Sequence, residues 1–170
     1  MHSIIFESDR LILRALSPAD AQAAFVWLSD PVVNRYLRYP LYQRVEQAKK
    51  WLDSVSDSIH DFAFVHKEDG LVIGSGGIYP TDDPTVWELG YNLRRDCWNQ
   101  GYATEAASAL LRYARDVHGI HDFIARHAAG NPASGRVMEK CGFVYDRDGE
   151  DSRFDHSEVF QTRIYKLHID

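Results

Sequence analysis

One segment of the sequence brings together a strand, a polar loop, a glycine and a helix start, a combination that suits the binding of an anion. It runs from Trp87 to Glu105, and Gly101 and Ala103 keep large side chains away from the first turn of the helix. The first backbone N–H groups of a helix have no partner inside it and point outward with the positive end of the helix dipole. The segment therefore predicts a phosphate site suited to a pyrophosphate. A glycine at such a corner can also serve chain geometry alone.

Two other groups of residues are weaker candidates for chemistry. The glycine-rich run 74–77 continues into further strand residues and not into a helix, so it predicts strand geometry more than a nucleotide loop. His118, His121 and His127 are close in sequence, but they lack the helical spacing and the accompanying carboxylates of a metal site. We therefore predict no metal ion.

The helix that carries the anion site is the clearest element in the sequence. Its apolar residues recur with a period near 3.6 along one face, and Gly119 ends it. Most residues of this stripe are alanines, which allow the helix to approach a sheet closely. The stripe consists of Ala103, Ala106, Ala107, Leu110, Ala114 and Val117.

The other predicted elements interleave helices with strands. Ser17, Pro18 and Asp20 supply an N-cap hydroxyl, a proline at the first helical position and an acid at the third, which predicts a helix start. The order of elements indicates an α/β fold with a mixed sheet, and the lack of linkers or repeats predicts one domain over residues 1–170. Strands are predicted at 10–14, 62–66, 71–79, 86–93, 121–128, 143–145 and 158–169, helices at 18–29, 45–55 and 132–141, and a short turn at 31–37.

Composition is typical of a folded protein and argues against several classes of partner. The chain has 170 residues, of which 45% are hydrophobic and 26% charged, and its formal charge is -6. An acidic chain lacks the basic surface that holds nucleic acid backbones. Residues 1–10 are too polar for a signal peptide or a membrane span, and Cys97 and Cys141 are too far apart for a CxxC pair. We therefore expect a cytoplasmic protein with free thiols that binds neither nucleic acid nor membranes.

Four motifs, in order along the chain, resemble one known family. They are Glu88-Leu-Gly-Tyr91, Trp98-Asn-Gln-Gly-Tyr-Ala-Thr-Glu105, Asn131-Pro-Ala-Ser134 and Lys140-Cys-Gly-Phe143. Together they resemble the GNAT superfamily of acetyl-coenzyme A-dependent N-acetyltransferases, and within it the RimJ/RimL branch of ribosomal-protein N-terminal acetyltransferases. Residues 7–14 and 16–20 are also similar to that branch, so the resemblance spans nearly the whole chain. Trp98 departs from the Gln or Arg of the general superfamily pattern, but a tryptophan is familiar at this place in the RimJ/RimL branch.

The resemblance implies the fold and the donor site. It implies a GNAT-like fold, in which helices flank a central mixed and mostly antiparallel sheet, and it implies acetyl-CoA as the co-substrate. The pantetheine arm would lie between two splayed strands, here 86–93 and 121–128, and the pyrophosphate on the N–H groups of 100–104, which form the anion site described above. Asn131 resembles the family asparagine that bonds near the pantetheine or the substrate. The implied cofactor-binding residues are Tyr91, Leu93, Asn99, Gln100, Gly101, Tyr102, Ala103, Thr104 and Asn131.

The resemblance also implies catalytic roles for two side chains and one backbone group. An N–H at a strand bulge near 89–90 would hold the thioester carbonyl, because glycine tolerates bulge angles. Glu88 is the candidate base, acting directly or through water, with the orientation of a neighbouring group as its alternative role. Many family members use a tyrosine seven residues after the asparagine as the final acid, but Met138 stands there and has no proton to donate. Ser134 is the candidate acid by resemblance to the RimJ/RimL branch, or else it stabilises the helix start.

The sequence defines the acceptor less well than the donor. Deprotonating an α-amine at neutral pH costs about 1 kcal/mol, against roughly 4 to 5 kcal/mol for a lysine-like amine, so a base whose pKa is only weakly perturbed suits a protein or peptide N-terminus better. Tyr36, Tyr39 and Tyr79 are candidate wall residues. Residues 146–158 hold six acids and two arginines, a local charge of -4 that predicts a solvated loop. The resemblance implies that this connection lies near the acceptor groove, where it would attract a cationic amine or a basic peptide terminus.

Two other functions are compatible with the same residues. The same chemistry serves antibiotic and polyamine acetyltransferases, and a non-catalytic acyl-CoA sensor needs only the phosphate corner. The joint presence of Glu88, Asn131 and Ser134 favours the enzyme. The sequence leaves the oligomeric state open between a monomer and a homodimer.

Overall fold

Eight strands pair side by side in the computed structural model, which describes residues 5–170. They are β1 (Ile5–Glu7), β2 (Leu11–Ala15), β3 (Asp61–His66), β4 (Val72–Pro80), β5 (Val86–Leu93), β6 (Asp122–Ala128), β7 (Val144–Ser152) and β8 (Val159–His168). Their order in the sheet is β1-β2-β3-β4-β5-β6-β8-β7. All neighbours are antiparallel except β5 and β6, which are parallel. The predicted fold, with a mixed and mostly antiparallel sheet, is confirmed.

Helices cover both faces of this sheet. They are α1 (Ala21–Leu28), α2 (Pro31–Asn34), α3 (Val45–Val55), α4 (Tyr102–His118) and α5 (Pro132–Lys140), with short 3-10 turns at Pro18–Asp20 and Arg95–Cys97. α4 and α5 pack around Leu110 and Met138 on one face, and α1 and α3 pack around Trp27 and Leu52 on the other. α4 forms the crossover that a parallel pair such as β5 and β6 requires. None of the helices within residues 5–170 is long and apolar enough to cross a membrane.

The predicted start of the first helical segment is confirmed by its hydrogen bonds. The side chain of Ser17 accepts from the N–H of Ala19 at 3.2 Å, and Asp20 accepts from the N–H of Ser17 at 2.9 Å. Arg14 holds Asp20 from β2 through two further bonds of 2.8 and 2.9 Å. This reciprocal cap fixes the angle at which the chain leaves the sheet and enters α1.

The limits of α4 follow from two glycines. Gly101 and Gly119 flank the helix with left-handed backbone angles, φ 82° and 65°, which residues with a Cβ adopt only at a cost. The predicted alanine stripe is buried through most of the helix, but Val117 in the last turn is 62% exposed, which corrects the expectation for that residue.

The two ends of the sheet differ from the expectation. The sequence did not predict β1, which has only three residues. The prediction of a loop at 146–158 is wrong for its first half, because β7 extends from Val144 to Ser152 and the turn is confined to 153–158. β7 is an edge strand, where charged side chains remain in water and discourage pairing with other chains, so a run of acids does not prevent a strand here.

β5 and β6 pair over only part of their length. Val86–Glu88 pair with Asp122–Ile124, and no further pair follows in the described part of the chain, although both strands continue. We call the gap between residues 89–93 and 125–128 the fork. On its other side β5 pairs with β4 in unbroken register, so the bulge expected near 89–90 is absent. The edge of β5 that faces the fork is free because β6 diverges from it, and no bulge is needed.

The glycine-rich run 74–77 lies within β4, in agreement with its prediction as strand. A Cβ on Gly76 would lie 2.3 Å from the carbonyl oxygen of Gly90 on β5, and a Cβ on Gly77 would lie 1.7 Å from the carbonyl oxygen of His60. These glycines are therefore required by the close approach of neighbouring backbones and not by a nucleotide.

Candidate active site

The fork leaves backbone hydrogen-bonding groups of β5 without a strand partner. Along a strand, successive residues direct their N–H and C=O groups to alternate edges, so about half of the groups in 89–93 face the fork. Pairing with β6 stops at Glu88 in residues 5–170, and those groups are available to an extended ligand. A regular strand with an open edge therefore offers the N–H donors that a bulge was expected to supply.

The loop between β5 and α4 presents a cluster of N–H groups beside the fork. Asn99 and Gly101 both have left-handed backbone angles, with φ of 59° and 82°. Such residues turn successive N–H groups toward one point. The first intrahelical bond of α4 runs from Glu105 N to Gly101 O, and within residues 5–170 the N–H groups of 99–104 have no acceptor. The predicted anion corner is thus built from unpartnered backbone donors.

Side-chain bonds hold this loop in place. The indole N–H of Trp98 donates to Leu93 O at 3.0 Å, and the amide of Gln100 donates to Asp96 O at 2.8 Å. Trp98 is therefore a structural residue of the loop in addition to marking the motif.

Arg10 is a residue of this corner that sequence reasoning missed. Its guanidinium lies 4.0 Å from the centre of the Tyr102 ring, and Nη1 donates to Gln100 O at 3.0 Å. Nε pairs with Glu105 at 2.7 Å, and Glu105 also accepts from Ser8 Oγ at 2.7 Å. Burial opposes the charge on Glu105, but the bonds from Ser8 and Arg10 outweigh it and hold the pKa of Glu105 below its usual value. The similarity of residues 7–14 to the family was a sign of their importance, but not of this contact.

Glu88 lies at the closed end of the fork and is ion-paired. Its Oε1 accepts from Nε of Arg126 at 2.6 Å and its Oε2 from Nη2 at 3.3 Å, which joins β5 to β6 just beyond their last paired residues. The two side chains are 27% and 32% exposed, so water reaches the pair. A proton acceptor at Glu88 has to compete with this guanidinium. Arg126 was not predicted, since nothing in its sequence context indicates that β6 brings it to Glu88.

Tyr91 and Ser134 meet at the open end of the fork. The Tyr91 hydroxyl lies 3.0 Å from the carbonyl oxygen of Ser134 and 3.0 Å from its Oγ, which links β5 to the first turn of α5. Burial raises the pKa of Tyr91, so the phenol is neutral at physiological pH. Tyr91 is predicted to line a pantetheine arm, and its hydroxyl also contacts the candidate acid Ser134.

Asn131 precedes α5 as its N-cap residue, but its side chain makes no capping bond. Its backbone N–H donates to Ala128 O at 2.8 Å, which fixes the turn from β6 into α5. No bond to the side-chain amide occurs within residues 5–170, so this amide is free to bind a ligand beside the fork. Met138, one helical turn beyond Ser134, is buried in the core at 1% exposure.

Two of the three predicted wall tyrosines, Tyr39 and Tyr79, lie on the face of the sheet that carries Glu88. Alternation along β5 places Asn92 on this face, and its amide donates to the Tyr39 hydroxyl at 2.8 Å. Tyr79 pairs with Glu88 across β4 and β5 and donates its hydroxyl to Asp61 at 2.8 Å. Burial raises the pKa of Tyr39 and of Tyr79, so both are neutral hydrogen-bonding groups. Tyr36 instead packs against Gly130, after β6.

The turn between β7 and β8 is bound to the segment after α2, and we call this contact the clasp (residues 34–39 with 151–158). Arg153 donates to the carbonyl oxygens of Leu37 and Arg35 at 3.0 and 3.2 Å and to Asn34 Oδ1 at 3.2 Å. Arg38 pairs with Asp151 at 3.2 Å in the same contact.

Three of the six acids of 146–158 pair with basic side chains. Asp151 and Glu158 pair with arginines of the clasp, and Asp146 pairs with Lys166 at 3.3 Å. Paired charges project little net field into solution. Two of these acids therefore hold the clasp, and the prediction that the run attracts a cationic amine rests on Asp148, Glu150 and Asp155, which form no salt bridge within residues 5–170.

Metal ligands and reactive thiols are not assembled at the fork. Within residues 5–170, no group of three or more His, Cys, Asp or Glu side chains is arranged to hold a metal ion. Burial raises the pKa of both free thiols, Cys97 and Cys141, which disfavours the nucleophilic thiolate. A separate cavity of about 480 Å³ lies at the far end of α4, lined by Trp87, Tyr113 and other residues, and none of the predicted site residues borders it.

Comparison with known proteins identifies relatives of the whole fold. Residues 10–144 match the family model described as "Acetyltransferase (GNAT) domain". The chain is 25% identical over 169 residues to "Uncharacterized N-acetyltransferase YoaA" of Bacillus subtilis, covering 96% of each chain. An acetyltransferase of the GNAT family from Bacillus anthracis superposes with a TM-score of 0.88 at 23% identity, over 97% of this chain and 98% of that one. The microcin C7 self-immunity acetyltransferase MccE, whose structure holds acetyl-CoA and AMP, superposes with a TM-score of 0.81 at 15% identity, over 95% and 93% of the two chains.

Proposed function

The chain belongs to the GNAT acetyltransferase family, and we propose that it acetylates the α-amine at the N-terminus of a protein or peptide, as in the RimJ/RimL branch. It is an acetyl-CoA-dependent N-acetyltransferase, which is the activity of the family. The observation that carries the proposal is the continuity of an open strand fork with a loop of unpartnered N–H groups.

The donor site fits the shape and charge of acetyl-CoA. The N–H groups of 99–104 suit a pyrophosphate, because they are free of internal acceptors and lie at the positive end of α4. The open edge of β5 at 89–93 suits the amide-bearing pantetheine arm, which can pair with a strand as β6 does nearer its start. When bound, acetyl-CoA supplies an activated thioester. We propose Tyr91, Leu93, Asn131 and residues 99–104 as the groups that hold it.

The chain's own groups account for each step of transfer. An N–H of 89–93 that faces the fork stabilises the charge that develops on the carbonyl oxygen. Glu88 takes the proton that the amine nitrogen loses as its bond to the carbonyl carbon forms, directly or through water. Ser134 gives a proton to the sulfur as the carbon–sulfur bond breaks. One proton leaves the amine and one reaches the sulfur, so the reaction needs no other reactant.

The ion pair at Glu88 favours an acceptor that is easily deprotonated. Both carboxylate oxygens of Glu88 already accept from Arg126, and an amine near pKa 8 needs only about 1 kcal/mol to lose its proton at neutral pH. A lysine-like amine needs roughly 4 to 5 kcal/mol. This difference supports an α-amine over a side-chain amine or a polyamine.

An acceptor panel tests the proposal. Coenzyme A release is measured with peptides that have a free N-terminus, with the same peptides blocked at the N-terminus but carrying a free lysine, and with polyamines and aminoglycosides. We expect kcat/KM to be at least about tenfold higher for the free N-terminus, and Glu88→Gln and Ser134→Ala to lower it. Faster release with small amines would overturn the proposal in favour of a small-molecule acetyltransferase. Tight acetyl-CoA binding without release to any amine would indicate a binding module.

A further inference from the structure

The Tyr91 hydroxyl has one hydrogen and two acceptor atoms of Ser134 at 3.0 Å. The carbonyl oxygen of Ser134 can only accept, whereas Oγ can accept or donate. Two arrangements satisfy these atoms. In one, Tyr91 donates to the carbonyl and Ser134 donates back to Tyr91. In the other, Tyr91 donates to Oγ, and the hydrogen of Ser134 is free to point into the fork.

Ser134 lies near the position where many family members have an acidic tyrosine and this chain has Met138. Ser134 and Met138 are four residues apart on one helix, so they lie on the same side of α5. Met138 is buried and has no proton to give. Tyr91 brings a phenol to this side of α5 from β5, across the open end of the fork.

We propose that Tyr91 is the positioning residue of the acid, holding Ser134 Oγ at the fork and donating a hydrogen bond to it while Ser134 gives its proton to the departing sulfur. The inference rests on the proposed function, because it takes Ser134 as the acid. Oγ gains negative charge as its proton leaves, and a hydrogen bond to a charged oxygen is about twice as strong as one to a neutral oxygen. The bond is therefore stronger in the transition state than in the ground state, which is the condition for accelerating the reaction.

The proton balance closes without a change at Tyr91. The new carbon–nitrogen bond forms as the amine loses a proton, and the carbon–sulfur bond breaks as the sulfur receives the proton of Ser134. Ser134 recovers a proton from water, which offsets the one released by the amine. Because burial raises the pKa of Tyr91, the phenol keeps its proton throughout.

A double-mutant cycle separates this role from a structural one. Steady-state kcat and both KM values are measured for the parent, Tyr91→Phe, Ser134→Ala and the double variant, and thermal unfolding is measured for each. Tyr91→Phe removes only the hydroxyl and should lower kcat about tenfold with little change in either KM. In the Ser134→Ala background the same substitution should change kcat less than about twofold, because the oxygen that Tyr91 serves is gone. Tyr113→Phe removes a hydroxyl that bonds to His118 and should leave kcat unchanged.

Each outcome of the cycle decides the inference. Effects on kcat that multiply, or a Tyr91→Phe variant with parental kcat, overturn it, since Tyr91 would then only tether α5 through the carbonyl of Ser134. If Tyr91→Phe unfolds at a much lower temperature, the cycle is repeated well below that temperature, where the ratio of kcat values decides in the same way. A parent protein that releases no coenzyme A, or a Ser134→Ala variant with full activity, contradicts the proposed function itself and not the pairing of the two residues alone.

Discussion

Nε of Arg126 lies 2.6 Å from Oε1 of Glu88, so the two arms of the fork are joined by an ion pair at the point where their backbones separate. The pair contains the candidate base, and its guanidinium is the nearest charged group on the opposite arm. Because both side chains are about 30% exposed, water screens the pair, and its contribution to stability is below about 1 kcal/mol. We propose that its role is to position Glu88.

Arg126→Gln tests this positional role. We expect kcat/KM for the acceptor to fall about tenfold, because Glu88 is no longer held over the fork, while KM for acetyl-CoA changes less than about twofold. The unfolding temperature should change little. Arg163→Gln, on exposed β8 surface, is the matched control. Parental acceptor kinetics in Arg126→Gln would show that the pair does not position the base.

Gly101→Ala tests whether the anion loop binds coenzyme A, and Gly119→Ala, at the other end of the same helix, is its control. Gly101 and Gly119 both have left-handed backbone angles, so replacing either by alanine should cost about 1 to 2 kcal/mol of stability. Only Gly101→Ala should weaken coenzyme A binding, because only Gly101 lies among the unpartnered N–H groups. Calorimetric titration with coenzyme A and urea unfolding measure the two effects separately. Equal loss of binding in both variants would contradict the site.

Glu105→Gln should change how stability depends on pH. Because the folded-state pKa of Glu105 is below its usual value of about 4.3, its stabilising effect is complete above that value and is lost as the pH falls through the folded pKa. The variant should be less stable than the parent by about 1 to 3 kcal/mol at pH 7, and the difference should shrink in strongly acidic buffer. Urea unfolding over this pH range checks it, with Glu139→Gln on the exposed face of α5 as control. A difference independent of pH would contradict the assignment.

Arg153→Gln should loosen the clasp. Arg153 donates to three carbonyls of the segment after α2, including that of Tyr39, whose hydroxyl accepts from Asn92 on the acceptor face. We expect KM for the acceptor to rise about five- to tenfold and KM for acetyl-CoA to stay constant, because the clasp is on the face opposite α4. Arg147→Gln, on the edge strand β7, controls for loss of charge. An unchanged acceptor KM would exclude the clasp from the acceptor site.

Local features of the site could be predicted from the sequence. The anion corner depends on a glycine, a helix start and its dipole, all of which lie within Trp98–Glu105, and the structure shows the expected free N–H groups there. The cap at Ser17 and Asp20 is similarly local and was also predicted correctly.

Contacts that depend on strand register could not be predicted. Arg126 reaches Glu88, and Arg10 reaches Gln100, only because strands distant in sequence align in a particular way. The acidic run 146–158 was misjudged for the same reason: its charges indicate water, but its partners, such as Arg38 and Lys166, come from other elements. The bulge was wrongly predicted for the same reason, because the divergence of β6 from β5 cannot be seen in the sequence of either strand alone.

The three-residue contact of β5 with β6 also has a consequence for how the chain folds. In residues 5–170 it is the only strand pairing between the meander β1–β5 and the later group β6–β8. This parallel pair closes through the crossover that contains α4, and it has three residue pairs, whereas the adjoining pairings β4–β5 and β6–β8 have seven each. The junction is therefore expected to open before the pairings on either side of it, with the fastest amide exchange of the sheet interior. A donor that contacts both arms stabilises that junction by binding only the closed form, so substrate binding and completion of the fold are thermodynamically linked.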